Sequence, residues 1–256
     1  GSGGASVTEY TVLRNDGASG AVSTQVYKGA LTAATAATLG GGKKYSFTVV
    51  AKNDVGTSDV SSVFQSTAPA ASAAPTSTTQ TSTTIALSWS TPAVTTGSAT
   101  TGFKVFRNDG TAGGAITSVA YDGRGKSATT ATISSPTAGA AYKFSVTALS
   151  PAGVGATSVS LTKSTAPTLP TKLASTLQTT TTVALSWTAP TVTTGSAVTG
   201  YKIYKHSSTA LFSDEQRAAL SSSGVALSSR VSYAQAYKGG TTASTTLTGL
   251  TGGTSY

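Results

Sequence analysis

Apolar side chains in this chain recur at every second position over short runs. Ile85, Leu87 and Trp89 alternate with Ala86, Ser88 and Ser90, and Phe103 and Val105 flank Lys104. Tyr142, Phe144, Val146 and Ala148 alternate with Lys143, Ser145 and Thr147. A period of two sends successive side chains to opposite faces, so each run predicts a strand with one buried and one wet face. Asp16-Gly17 and Asp109-Gly110 follow two such runs and predict tight hairpin turns, where a residue must accept positive φ. Short strands punctuated this regularly predict an all-β sandwich architecture.

The runs repeat. The stretch from Thr83, TTIALSWSTPAVTTGSATTGFKVFRNDG, is matched by the stretch from Thr181, TTVALSWTAPTVTTGSAVTGYKIYKHSS. Trp89 and Trp187, Phe103 and Tyr201, and the Ser-Thr-Ala-Pro segments ending at Pro69 and Pro167 share one offset of about 98 residues. A partial third copy opens the chain, where Val7 to Gly17 matches Thr100 to Gly110. A Tyr-x-Gly landmark then recurs at Tyr27, Tyr121 and Tyr237.

These residues resemble fibronectin type III repeats along essentially the whole chain. The resemblance is carried by LSW-STP at Leu87 to Pro92 and LSW-TAP at Leu185 to Pro190. Gly97-Ser98 then leads to Phe103-Lys-Val105, and Gly195-Ser196 to Tyr201-Lys-Ile203. Late in each copy a leucine stands six positions before a tyrosine, as at Leu39 and Tyr45 or Leu250 and Tyr256; in the middle copy Pro136 takes the leucine's place, which bears on corner packing and not on the fold. The resemblance implies tandem immunoglobulin-like β-sandwiches. It also implies structural core roles for Trp89, Trp187, Phe103 and Tyr201, and a tyrosine corner at Tyr45, Tyr142 and Tyr256, each ring in the core and each hydroxyl bonded to nearby backbone.

Aligned on these landmarks, residues 1–67 form a repeat lacking its first two strands, 68–166 a complete repeat, and 167–256 a repeat that stops at the corner tyrosine. The missing strands are expected to come from a longer chain or from a neighbouring subunit by strand addition. The last copy carries an insertion at about 206–230. There Ser213 and Gln216 form a capping box, Asp214 and Glu215 suit a first turn, and Gly224 can end it, so one short helix is predicted. Leu211, Phe212 and Leu220 on that insertion are the candidate subunit contact.

Composition narrows the function. Seventeen basic residues stand against eight acidic ones, giving a net charge of +9, but they are scattered singly, with Lys43-Lys44 and Arg124-Gly-Lys126 the only close pairs. That pattern does not make a nucleic-acid surface. No apolar run has the length of a membrane helix, so no membrane insertion is expected. The chain has no cysteine, which removes disulfides and thiolate metal sites. Having no methionine, it is expected to be a processed form, a fragment or the ordered part of something longer. Serine and threonine are abundant on the polar faces and suit O-linked glycans, whereas each asparagine, Asn15, Asn53 and Asn108, precedes aspartate and starts no N-glycan sequon.

Enzymatic chemistry finds no support. His206 is the one histidine, and no serine sits in a nucleophile elbow. Gly125-Lys126-Ser127 resembles the end of a phosphate loop, but Ala120 occupies the glycine position it requires. No acidic loop suits calcium. No cofactor is expected. The sequence reads as a structural component of an extracellular or cell-surface filament, hair or sheath, its partners being copies of itself or neighbouring domains. The alternatives are an adhesive or carbohydrate-binding accessory module of a larger secreted protein, and a virion decoration protein.

Overall fold

The structure is a computed structural model that describes residues 4–205, 234–254 and 256. Among these residues there is no helix. The helix predicted within 206–230, with Leu211, Phe212 and Leu220, lies outside the described residues.

The middle repeat is a complete two-layer sandwich. Strands β5 (Thr84–Ser88) and β8 (Thr130–Ser134) pair antiparallel in one layer. The other layer runs β10 (Gly153–Thr157), β9 (Ala141–Ser150), β6 (Gly102–Arg107), β7 (Ser118–Asp122), with β11 (Leu161–Ser164) also on β9. The alternation seen in the sequence places Ile85, Leu87 and Ile133 against Phe103, Val105, Phe144 and Val146, none more than 3% exposed. Trp89 closes the layer, its ring 5.8 Å from Phe103 and 5.9 Å from Tyr121. Tyr121 folds back over Gly123, where any side chain would strike the ring; Tyr27 over Gly29 and Tyr237 over Gly239 do the same, which explains the Tyr-x-Gly landmark.

Among the described residues the first repeat shows the counterpart of the middle repeat's second layer and none of its first. Its sheet runs β2 (Thr24–Gly29), β1 (Glu9–Arg14), β3 (Lys44–Lys52), β4 (Ser61–Ser66). Val12 faces Val49 across β1 and β3 as Val105 faces Val146 across β6 and β9. Even a register shift in the hairpin recurs, between Val12 and Leu13, Val105 and Phe106, and Ile203 and Tyr204. The difference is burial. Val146 is fully buried and Val49 is 37% exposed, because no counterpart of β5 lies over it. The stretch that aligns with β8 forms no strand here, since its ladder partner is missing.

The third repeat shows the opposite half. Strands β12 (Thr171–Gln178), β13 (Val183–Thr188) and β16 (Ser244–Leu247) form one sheet, and β14 (Tyr201–Lys205) and β15 (Ala234–Gly239) a hairpin. Trp187 meets Tyr201 edge-on at 5.0 Å. Leu173 and Leu177 on β12 are exposed.

Two expectations are corrected. The Asp-Gly turns do hold glycines at positive φ, 80° at Gly17 and 88° at Gly110, but the hairpin loop runs on to Thr24 in the first copy and Ser118 in the second. The asparagine before each turn draws the chain toward β3 or β9 instead of closing a tight hairpin. Tyr256, expected in the core, is 45% exposed; it lies after β16, the last strand among the described residues.

The burial contrast gives a direct test. Phe144→Ala empties a fully covered site and should destabilise the middle repeat by about 3–5 kcal/mol. Phe47→Ala, at the half-buried equivalent, should cost the first repeat less than half as much. Urea denaturation followed by amide signals of each repeat measures both.

Candidate functional site

The chemistry of this chain concentrates where one repeat meets the next, and it begins at the corner tyrosine. Tyr45 is buried and its hydroxyl accepts a hydrogen bond from Gly40 N at 2.8 Å; Tyr142 accepts from Thr137 N at 2.8 Å. Pro136 is buried at the middle corner and leaves that bond intact. Tyr256 makes the same bond with Thr251 N at 2.9 Å, and that N–H holds its phenol below the ordinary range. A basic side chain covers each ring: Arg14 over Tyr45 at 5.4 Å, Arg107 over Tyr142 at 5.3 Å and Lys205 over Tyr256 at 5.2 Å.

Against the other side of the tyrosine lies the Asn-Asp-Gly turn. Asn15 and Asn108 are buried polar residues whose side chains extend the strand ladder. Asn15 Oδ1 accepts from Ser46 N at 3.0 Å and Asn108 Oδ1 from Lys143 N at 2.9 Å. The following glycine must be bare, because a side chain on Gly17 would strike the Tyr45 ring and one on Gly110 the Tyr142 ring. The aspartate fixes the turn from outside. Ala18 N–H, then Gly20 N–H, hold Asp16 below the usual carboxylate range; the Thr111 hydroxyl, then its N–H, do so for Asp109.

Tyrosine corner and turn together present two carbonyls, Gly42 and Gly17, to the loop of the next repeat. Gly42 O accepts from Thr95 N at 3.2 Å and Gly97 N at 3.0 Å. The Thr96 hydroxyl donates to Gly17 O at 2.7 Å and accepts from Lys44 N at 3.0 Å. The second joint repeats this bond for bond. Gly139 O accepts from Thr193 N at 3.1 Å and Gly195 N at 3.0 Å; the Thr194 hydroxyl donates to Gly110 O at 2.7 Å and accepts from Ala141 N at 3.0 Å.

Such close backbone approach excludes side chains. A Cβ on Gly97 would lie 2.6 Å from the carbonyl carbon of Gly42, and one on Gly195 2.7 Å from Gly139 O. Gly42 and Gly139 both hold φ at 68°, a region that L side chains avoid. The linker is tied down as well. Thr67 of the first Ser-Thr-Ala-Pro segment donates to Gly40 O at 2.8 Å, and Thr165 of the second to Thr137 O at 2.8 Å.

The tyrosines are singled out by the sequence pattern; Gly42, Gly139, Thr96 and Thr194 are not. One signal pointed to them. Val-Thr-Thr-Gly-Ser-Ala is identical at 94–99 and 192–197, although loops vary freely unless something holds them. Trp89, Phe103, Trp187 and Tyr201 lie in the sandwich interiors, away from the joints.

Paired antiparallel sheets, corner tyrosines and end-to-end joints define a tandem β-sandwich module. The fibronectin type III domain profile matches residues 70–164 and 167–256, and the chain belongs to that family. It is 50% identical over 86 residues to Chitinase A1 of Niallia circulans, a match covering 30% of this chain; the chain spans 12% of that protein. Among solved structures it is similar to a human fibronectin type III domain of fibronectin type III domain containing protein 3. That match is 25% identical with a TM-score of 0.35, over 40% of this chain and 91% of the other. It is also similar to a two-domain segment of chicken tenascin, 16% identical with a TM-score of 0.35, over 64% of this chain and 87% of that one.

Two outcomes are expected. Thr194→Val removes the hydroxyl's two bonds, each worth about 1 kcal/mol, and should loosen the second joint while leaving both sandwiches folded. Residual dipolar couplings of the two repeats would then cease to fit one alignment frame. Acid should act similarly. Both aspartates have depressed folded pKa values, so their support for the turns is complete above the ordinary carboxylate range and is lost as pH falls through the depressed values. Protection of the Ala18 and Thr111 amides, taken relative to their intrinsic exchange at each pH, should fall in that acid window, and Asp16→Asn with Asp109→Asn should flatten the response.

Proposed function

We propose that this chain is a rigid, non-catalytic spacer in an extracellular or cell-surface assembly, a filament, hair or sheath in which repeats are stacked at a fixed angle. The observation that carries this reading is the joint. The same four hydrogen bonds and the same bare glycines recur at both repeat boundaries. A flexible connector needs none of this. The bonds are between neutral groups, so the rigidity does not depend on ionic strength in the way a salt-bridged joint would. Copies of the chain or neighbouring domains of a longer protein are its partners, and the Ser/Thr-rich outer faces accept O-linked glycans.

A second reading has its own support. The 50% identity to a segment of Chitinase A1 suits a spacer between functional domains of a larger polysaccharide-degrading protein. Direct binding of polysaccharide fits less well. Sugars stack on exposed aromatic platforms, and the exposed aromatic side chains among the described residues are Phe64 and Tyr256, which lie on different repeats.

Small-angle scattering of the whole chain should give a rod-like profile that is unchanged between low salt and about 1 M salt, where the Debye length has shrunk to roughly 3 Å. A flexible-chain profile would defeat the spacer reading. Electron microscopy separates the two versions: regular filaments support the assembly, and dispersed rods with no affinity for its own kind favour the spacer of a larger protein.

A further inference from the structure

The outer strand of the first repeat is an open sheet edge without the usual guards. β4 pairs with β3 over Lys44 to Val49 with no register shift, and no strand lies on its far side. The middle repeat, which has both layers, also leaves the far side of β11 open, so the other layer is not what covers this edge. Elsewhere the outer strands of this layer are protected. β2, β7 and β15 each pair with a register shift and carry a charged residue, Lys28, Asp122 and Lys238; β10 is shifted too, and β11 holds Lys163. From Val60 to Ser66 there is no charge, proline or glycine, and Phe64 is 63% exposed.

The backbone shows which groups are free. Asn15 N donates to Ser46 O and Thr67 N to Lys43 O, so even positions of β3 face β1 and odd positions face β4. Val63 and Gln65, opposite Phe47 and Tyr45, therefore spend their amides and carbonyls on β3, and Ser62, Phe64 and Ser66 turn theirs outward. The Phe64 side chain sits beside Ser46, on the face turned away from Phe47 and Tyr45, so its exposure does not depend on what covers the core face. Lys44 Nζ caps one side of its ring, 4.8 Å from the centroid.

We propose that β4 is a self-association edge, pairing antiparallel with β4 of a second copy about a two-fold axis at Phe64. That register sets Phe64 against its own counterpart and Ser62 against Ser66, so each outward amide meets an outward carbonyl and the two four-stranded sheets become one. Charge favours this contact over others between copies. The net charge of +9 opposes approach in general, whereas here the segment is neutral. The Lys44 side chains of the two copies would stand on strands about 14 Å apart, beyond a Debye length of about 8 Å. The inference rests on the reading of copies as partners and names where they meet, side by side and not end to end.

The test follows the whole 256-residue chain, labelled with nitrogen-15, as its concentration rises. Sedimentation equilibrium should show a monomer and dimer, with a dissociation constant on the order of 0.1–1 mM, as a small interface allows. Hydrogen exchange at the Ser62, Phe64 and Ser66 amides should slow as the dimer forms, while Val63 and Gln65, already bonded, stay protected throughout. Phe64→Lys puts a charge on the exposed edge, and Ser62→Pro removes one outward amide that β3 does not use; each should weaken the dimer at least tenfold with the repeat still folded. A chain that stays monomeric to about 2 mM overturns the proposal, as does a dimer that both variants leave unchanged or one that protects amides other than these. Scattering by the monomer still reports on the spacer, so a monomeric rod sinks the β4 edge alone, and a dimer of flexible chains sinks the spacer alone.

Discussion

A single backbone carbonyl receiving two amides of the next repeat sets the terms for much of this molecule. At the first joint Gly42 O takes bonds from Thr95 N and Gly97 N within 3.2 Å, an approach that leaves no volume for a side chain on Gly97, while the positive φ of Gly42 disfavours one there. Glycine at 97 follows from that approach and glycine at 42 from its backbone conformation. The tyrosine corner follows too, because something must hold the Gly42 peptide at the right height, and the Tyr45 hydroxyl does so through Gly40 N. On the far side of the same ring, the Asn15-Asp16-Gly17 turn is pressed flat enough to offer its carbonyl to Thr96. Residues distant in sequence thus serve one contact.

These bonds would be weak between separate molecules, each contributing about 0.5–1.5 kcal/mol net. Their strength here comes from tethering. The linker after β4 is short and is itself pinned by Thr67, so the incoming loop is held near its acceptor at high effective concentration and little further entropy is lost on closing. The sandwich cores and the joints therefore divide the labour. Apolar layers such as Phe144 against Leu87 hold the middle repeat together, and polar backbone contacts at the ends orient one repeat on the next.

Much of the fold was legible in the sequence because burial imposes a pattern that side-chain identity reveals. A half-buried strand must alternate, and Ile85-Ala86-Leu87-Ser88-Trp89 does; two copies of one sandwich must repeat their core residues, and Trp89 and Trp187 do. The joint was much less legible, since its main atoms are amide nitrogens and carbonyl oxygens that nearly every residue carries. Glycine and threonine only permit the contact, and both are common throughout this chain, so Gly97 and Thr96 stand out only through the identity of their loop with 192–197.

The recurrence of the joint has a geometric consequence. If the bonds that fix repeat two on repeat one are the bonds that fix repeat three on repeat two, a single rotation and translation carries each repeat onto its successor. Compounded, one such operation generates a screw. Its handedness and pitch are set by the directions of the Gly42 and Gly17 carbonyls and the position of one threonine hydroxyl. Any face that recurs on every repeat would then wind along a rod of such repeats as a regular helical stripe.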